Sequence, residues 1–243
     1  MSACEKWCFD ANNVGSRAFS HLREFYIESC PKLTGNLPSS LPSLTLLVIR
    51  DCKRLICPLP KSPSLRVLNI QNCQKLEFHV HAPWYHQSLT SLYLIDSCDS
   101  LMFLPLDLFP NLKSLDIWGC KNLEELSVSA SDVSPNFKSL NSMCIRHCPN
   151  FTSFPKGGFA APKLNLLTIN YCQKLNSLPE NLHELMPSLK ELQLRGCPQI
   201  ESSPMRPLRI RISNKLMEGK QNHSDPLFAR LEGLVSGHSP SSS

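Results

Sequence analysis

The chain has 243 residues, among them 39 leucines, 20 prolines, 12 cysteines and 9 glycines, with 19% charged residues and a net charge of +5. This apolar content excludes a disordered chain, the scattered prolines exclude a long coiled coil, and scarce glycine argues against folds built on glycine-rich phosphate loops. The mild basicity is spread along the chain and leaves no nucleic-acid footprint, and no apolar run approaches the roughly 18 residues of a membrane span.

The opening segment lacks the apolar stretch of a secretory signal. The cysteines therefore read as thiols in a reducing compartment, the cytoplasm or the nucleus, rather than as a disulfide framework. Only Trp7, Cys8, Phe9 and Phe19 offer apolar cover ahead of residue 22. That is thin capping. Residues 1–21 are expected to be a lead-in or truncated repeat of an array that continues upstream.

From residue 22 onward one pattern recurs, L-x-x-L-x-[LI]-x-x-C-x-x-[LFI]. Its cysteines are Cys30, Cys52, Cys73, Cys98, Cys120, Cys148, Cys172 and Cys197, separated by 22, 21, 25, 22, 28, 24 and 25 residues. The first copy reads Leu22, Phe25, Ile27, Cys30, Leu33 and the last runs over residues 189–200. The fourth carries one extra residue, which puts Ser97 where cysteine is expected. Eight copies in register at a period of 20–29 define a leucine-rich repeat. Positions 4 and 6 of each copy alternate inward on a short strand. Position 1 and the residue three after the cysteine complete the lining of one coil. Stacked coils would form an α/β-type solenoid, a horseshoe with a parallel concave sheet. The eight cysteines are expected to form a structural ladder of buried thiols where each strand turns off.

Proline precedes position 1 by two residues at Pro42, Pro63, Pro110, Pro162 and Pro187, and Leu-Pro pairs recur between copies. Such backbone favours extended and turn conformations, so the convex side should be mostly loops and short helical turns. Residues 127–135, rich in serine, read as an insertion loop. Eight repeats are thus expected over residues 22–203. Residues 204–235 read as a degenerate ninth repeat and C-terminal cap. Within them Leu208, Ile210 and Ile212 alternate with arginine, as on an edge strand. Asp225-Pro226 would start a short capping helix. Residues 236–243 read as a disordered tail.

Catalytic motifs are missing. There is no phosphate loop, H-E-x-x-H, G-x-S-x-G or C-x-x-C. His79, His81 and His86 cluster without a local carboxylate and read as exposed histidines rather than a metal site. Cys144, Cys148 and His147 follow the repeat register, with Cys148 inward and Cys144 outward. No catalytic residue, metal or cofactor is expected. What remains is a surface. Positions 3, 5, 7 and 8 point out of the concave sheet and hold Tyr26, Arg50, Asp51, Tyr93, Asp116, Trp118, Arg146, His147, Tyr171 and Arg195. Aromatics and arginine are enriched at binding hot spots, although β-propensity alone also places tyrosine and tryptophan on strands.

The repeated L-x-x-L-x-I-x-x-C-x-x-L with recurring Leu-Pro resembles the C-terminal repeats of plant nucleotide-binding leucine-rich-repeat disease-resistance proteins. Residues 22–33 (LREFYIESCPKL), 44–55 (LTLLVIRDCKRL) and 189–200 (LKELQLRGCPQI) look like the coiled-coil class of that family. Glu5-Lys6-Trp7 is similar to the W-E-x-W segment that precedes such repeats, without its first tryptophan. The resemblance covers residues 5–216 and implies a non-enzymatic protein-recognition domain. Its partners would be proteins: a pathogen effector or guarded host protein, and the nucleotide-binding domain of the parent protein. The phosphate loop of that domain is not in this sequence, so nucleotide binding does not carry over. A substrate-recruiting leucine-rich-repeat subunit of a ubiquitin ligase is the alternative, though no F-box segment precedes Leu22. A receptor-kinase ectodomain would favour asparagine at the turn, a signal peptide and a membrane helix.

Overall fold

The computed structural model describes residues 6–7, 19–77, 87–128, 136–200 and 209–213. Its main feature is one nine-stranded sheet in which every neighbouring pair is parallel. In chain order the strands of the molecule are β1 (Lys6–Trp7), β2 (Glu24–Glu28), β3 (Thr34–Gly35), β4 (Leu46–Arg50), β5 (Val67–Gln71), β6 (Ser91–Ile95), β7 (Phe103–Pro105), β8 (Ser114–Trp118), β9 (Glu125–Ser127), β10 (Ser142–Arg146), β11 (Leu166–Asn170), β12 (Glu191–Arg195) and β13 (Arg209–Ser213). The large sheet runs β2-β4-β5-β6-β8-β10-β11-β12-β13. Coil after coil therefore adds one strand of five residues, and the solenoid expected from the repeat is the fold observed.

Register explains why the pattern is so regular. Ile27, Ile49, Ile70, Leu94, Ile117, Ile145, Ile169, Leu194 and Ile212 align as one row across all nine strands. A slip by one residue would exchange the buried and outward faces of a strand. Along that row the interval from coil to coil varies between 18 and 28 residues, yet the strands never lose register. The variation is absorbed between the strands.

That side is mostly irregular. It carries a 3-10 turn at Leu106–Leu108 and one helix, α1 (Leu182–Leu185). The pairs β1-β3 and β7-β9 form two small sheets that the sequence did not suggest. The β7-β9 pair lies after the strand-end turns of neighbouring coils, where the backbones run side by side for three residues, and β1 pairs for two residues with β3.

Leucine fills the interior between the faces. Leu44, Leu65, Leu89, Leu112, Leu140 and Leu164 at position 1 are buried, as are Leu47, Leu68, Leu92, Leu115, Met143, Leu167 and Leu192 at position 4. Burying each such side chain contributes about 1.5–3 kcal/mol. The wider coils are filled by phenylalanine: Phe137 meets Phe159 edge-on at 5.7 Å, and Phe151 meets Phe154 edge-on at 5.2 Å. The first coil is looser. Leu22, Phe25 and Cys30 are only partly buried against the core.

The cysteines end the strands. Cys52 Sγ donates to the carbonyl of Arg50 at 3.2 Å and lies 3.8 Å from that of Ile27 on the preceding coil. Cys73 repeats this with Gln71 and Ile49, Cys172 with Asn170 and Ile145, and Cys197 with Arg195 and Ile169. Cys30 and Cys148 donate to the carbonyls two residues back, Glu28 and Arg146. Cys120 lies 4.0 Å from that of Trp118 and reaches Leu94 at 3.8 Å and Ser97 at 3.5 Å. A small donor thus serves the carbonyls exposed where two strands end. The turn that follows closes by a backbone bond from the residue three on, such as Leu55 N–H to Cys52 O at 3.1 Å. That bond fixes the spacing C-x-x-[LFI]. Burial pushes the thiols of Cys98 and Cys148 up to about 12 and that of Cys120 well above the usual range. Cys73 and Cys172 are raised by an adjacent thiol and by burial. These thiols stay protonated, and all but Cys98 donate.

One member of the ladder needs correction. Ser97, not Cys98, makes the bond of this site: its hydroxyl donates to Ile95 O at 2.6 Å and accepts from Cys73 N–H at 3.1 Å. Cys98 is buried one place further on, at a φ of 55°. The lead-in beyond β1, the histidine cluster, most of the insertion loop, the capping helix and the tail fall outside the described residues.

Candidate recognition surface

The outward positions of the strands form rows across the concave face. Position 7 reads Glu28, Arg50, Gln71, Ile95, Trp118, Arg146, Asn170, Arg195. Position 8 lies just beyond the strand end. There Ser29, Asp51, Asn72, Asp96, Gly119, His147, Tyr171 and Gly196 all adopt φ between 46° and 67°. This left-handed row turns the chain toward the cysteine in every coil. Asparagine, aspartate and glycine tolerate that region; histidine is less common and tyrosine rarer still.

The left-handed backbone tips each position-8 side chain toward the next coil. Asn72 Nδ2 donates to Asp51 Oδ1 at 2.8 Å. The Asp96 carboxylate lies over Gly119, where any Cβ would collide with it. The Tyr171 ring lies over Gly196, where a Cβ would stand 2.6 Å from ring carbon Cδ1. These two glycines are thus required by φ and by close approach together.

Between the glycines the rings stack. His147 faces Tyr171 at 4.5 Å between centroids with planes 22° apart, and Trp118 at 5.6 Å with planes 19° apart. The Arg146 guanidinium lies 5.9 Å from the Trp118 centroid and that of Arg195 lies 5.5 Å from Tyr171. Both are within cation–π range. Five of the residues expected at the surface, Trp118, Arg146, His147, Tyr171 and Arg195, are therefore one contiguous array. Packing desolvates the His147 imidazole and lowers its pKa; Asp96 opposes the shift and Arg146 adds to it. Burial raises the Asp96 carboxyl, against the pull of Lys121 and His147.

The other expected residues lie apart. Tyr26 is exposed on β2 and donates to Glu24 Oε2 at 3.0 Å. Burial, that hydrogen bond and the charge of Glu24 raise its pKa. Arg50 Nη1 meets Glu28 Oε1 at 3.2 Å. Tyr93 and Asp116 are register neighbours in the position-5 row, and Asp116 is buried. Cys144, the next in that row, points outward as expected but is buried among Asp116, Arg146 and Thr168. Sequence reasoning missed this, because alternation tells direction and not how closely strand neighbours pack. It also missed Asp96 and Asn170, which polarity alone does not single out. Among the described residues, no group of three or more histidine, cysteine and acidic side chains comes together to hold a metal, and no helix is long and apolar enough to cross a membrane.

Stacked leucine-lined coils, an unbroken parallel sheet and a row of outward aromatics define a leucine-rich-repeat solenoid. No family model matches the chain. Curated relatives do. An Arabidopsis thaliana protein named for disease resistance is 36% identical over 172 residues, 68% of this chain and 12% of the relative. An RPP13-like disease-resistance protein of the same plant is 30% identical over 173 residues, 70% of this chain and 14% of the relative. Its disease-resistance protein RPS4 is 27% identical over 175 residues, 72% of this chain and 13% of the relative. The chain is leucine-rich-repeat sequence of the plant disease-resistance protein family, and it spans only about an eighth of the length of these relatives.

Proposed function

We propose that the chain is a non-enzymatic protein-recognition domain in plant immunity. Its concave face senses a pathogen effector or a host protein, and it contacts a nucleotide-binding switch domain outside this chain, in the cytoplasm or nucleus. The observation that carries this reading is the array of Trp118, His147 and Tyr171 rings with Arg146 and Arg195. Rings and guanidiniums held on strands pay little ordering cost on binding. The family relation supports the setting.

The test is capture from plant extract with the chain and with a Trp118→Ala/Tyr171→Ala variant. The variant should lose protein partners while keeping its circular dichroism spectrum. An unchanged partner set would refute the concave reading. A pull-down with an isolated nucleotide-binding domain of a plant disease-resistance protein tests the switch contact; no association at low salt counts against it.

A further inference from the structure

Charged groups on the concave face stand in two different conditions. At the β2-β4 edge Arg50 is engaged by Glu28 at 3.2 Å. At the other end the Arg195 side chain has no hydrogen-bond or ion-pair partner among the described residues. Its guanidinium rests against the Tyr171 ring, and its Nε, like that of Arg50, is buried without an acceptor. The acid on its own strand, Glu191, already accepts from Gln193 Nε2 at 2.8 Å. The register neighbour of Arg195, Asn170, keeps its Oδ1 buried and without a donor. Among the described residues Arg195 is thus partly desolvated, oriented by a ring and uncommitted. A cation in that state gains most from an anion that arrives with a partner, because a planar guanidinium holds a carboxylate with two parallel bonds.

We infer that this end of the concave face binds an acidic segment of a protein partner, with Arg195 pairing to a carboxylate and the His147–Tyr171 stack taking the adjacent side chain. The inference rests on the recognition role proposed above and gives the partner a chemistry. Its second support is the arrangement of charge around the stack. Asp96 lies over Gly119, and Asp116 lies one row inward. A nucleic acid, with a phosphate at every step, would have to pass these carboxylates. A peptide places its acids where Arg195 is and neutral residues where they are.

The test uses the whole chain and fluorescence anisotropy. The probes are a fluorescein-labelled peptide of alternating glutamate and glycine around one tryptophan, its glutamine counterpart, and a single-stranded oligouridylate. The acidic peptide should bind, the glutamine peptide should bind at least about tenfold more weakly, and the oligouridylate should not exceed the acidic peptide. Arg195→Gln should weaken the acidic peptide about tenfold with an unchanged circular dichroism spectrum. Arg195→Lys should recover part of that loss. Arg50→Gln should change nothing, since Arg50 is engaged by Glu28. Equal binding of the two peptides, tighter binding of the oligouridylate, or an Arg195→Gln variant that binds like the parent would overturn the inference. The two readings fail separately. Partner capture that depends on Trp118 and Tyr171, without acidic-peptide binding, sinks this one alone. Peptide binding that depends on Arg195, with capture unchanged in the double variant, sinks the recognition role.

Discussion

The two ends of the concave face are built on one backbone and finished in opposite ways. On the first coils the outward side chains satisfy each other: Tyr26 with Glu24, Arg50 with Glu28, Asn72 with Asp51. On the later coils the same positions hold rings that stack, glycines that admit them, and an arginine without an anion. The strand geometry is the same, so the difference comes from side chains alone. A solenoid can thus finish one part of its sheet with paired side chains and another with stacked rings without changing its fold.

The sharpest way to break the comparison is to remove the backbone both ends share. Cys120→Asp would bury an unpaired charge at the centre, at a cost of several kcal/mol. Thermal unfolding should then begin at least about 10 °C lower. Cys30→Asp, on the loosely covered first coil, should shift the midpoint far less. Equal shifts would mean that the thiol ladder is not what holds the middle coils.

Next in size is Gly196→Val. It combines a left-handed φ with a collision against Tyr171 and should cost about 1–3 kcal/mol, read by urea unfolding. It should also displace the stack, seen as a shift of the His147 ring signals. The contrasting change is Ser29→Ala, at the same left-handed position but with no ring to displace, which should cost less. If both variants lost equal stability, the stack would add nothing to the requirement for glycine.

Smaller still is the first-coil ion pair. Arg50→Gln removes a partly exposed salt bridge, worth about 0–1 kcal/mol after solvent screening. A loss above that range would show the first-coil end to be more tightly coupled than its geometry indicates.

The finest probe is protonation. Packing in the stack lowers the His147 pKa, so the unfolded chain takes up this proton more readily than the folded one. The stability tied to His147 is complete above the unfolded value near 6.5. It falls as pH drops below that value, and the loss ends at the lower folded value. An NMR titration should place His147 below 6.5, and Tyr171→Ala should move it upward. A titration at or above 6.5 in the parent chain would remove the stack as the cause.

Much of this was legible in the sequence for a physical reason. Leu47, Ile49 and their equivalents face a continuous interior, so only apolar residues satisfy them and the pattern repeats without drift. The site was only half legible. Trp118, Tyr171 and Arg195 could be assigned to the outward face from register. Their stacking could not, because it depends on the left-handed turn at position 8. That position is filled by Ser29, Asp51, Asn72, His147 and Tyr171 as well as by glycine, and no consensus announces it. The exchange of Ser97 for Cys98 was hidden for a related reason: one inserted residue moves the hydroxyl into the thiol's place while the cysteine stays in the count.

The strict register across coils of unequal length has a consequence for how such a surface can change. A segment running from one ladder cysteine to the next begins and ends with the same backbone geometry, whatever lies between. Duplicating or excising one such segment would leave both flanking junctions intact and would shift the ring array sideways by one strand, about 4.8 Å. The spacing between a partner's contact points can therefore be reset by gain or loss of whole segments, without a single substitution in the core.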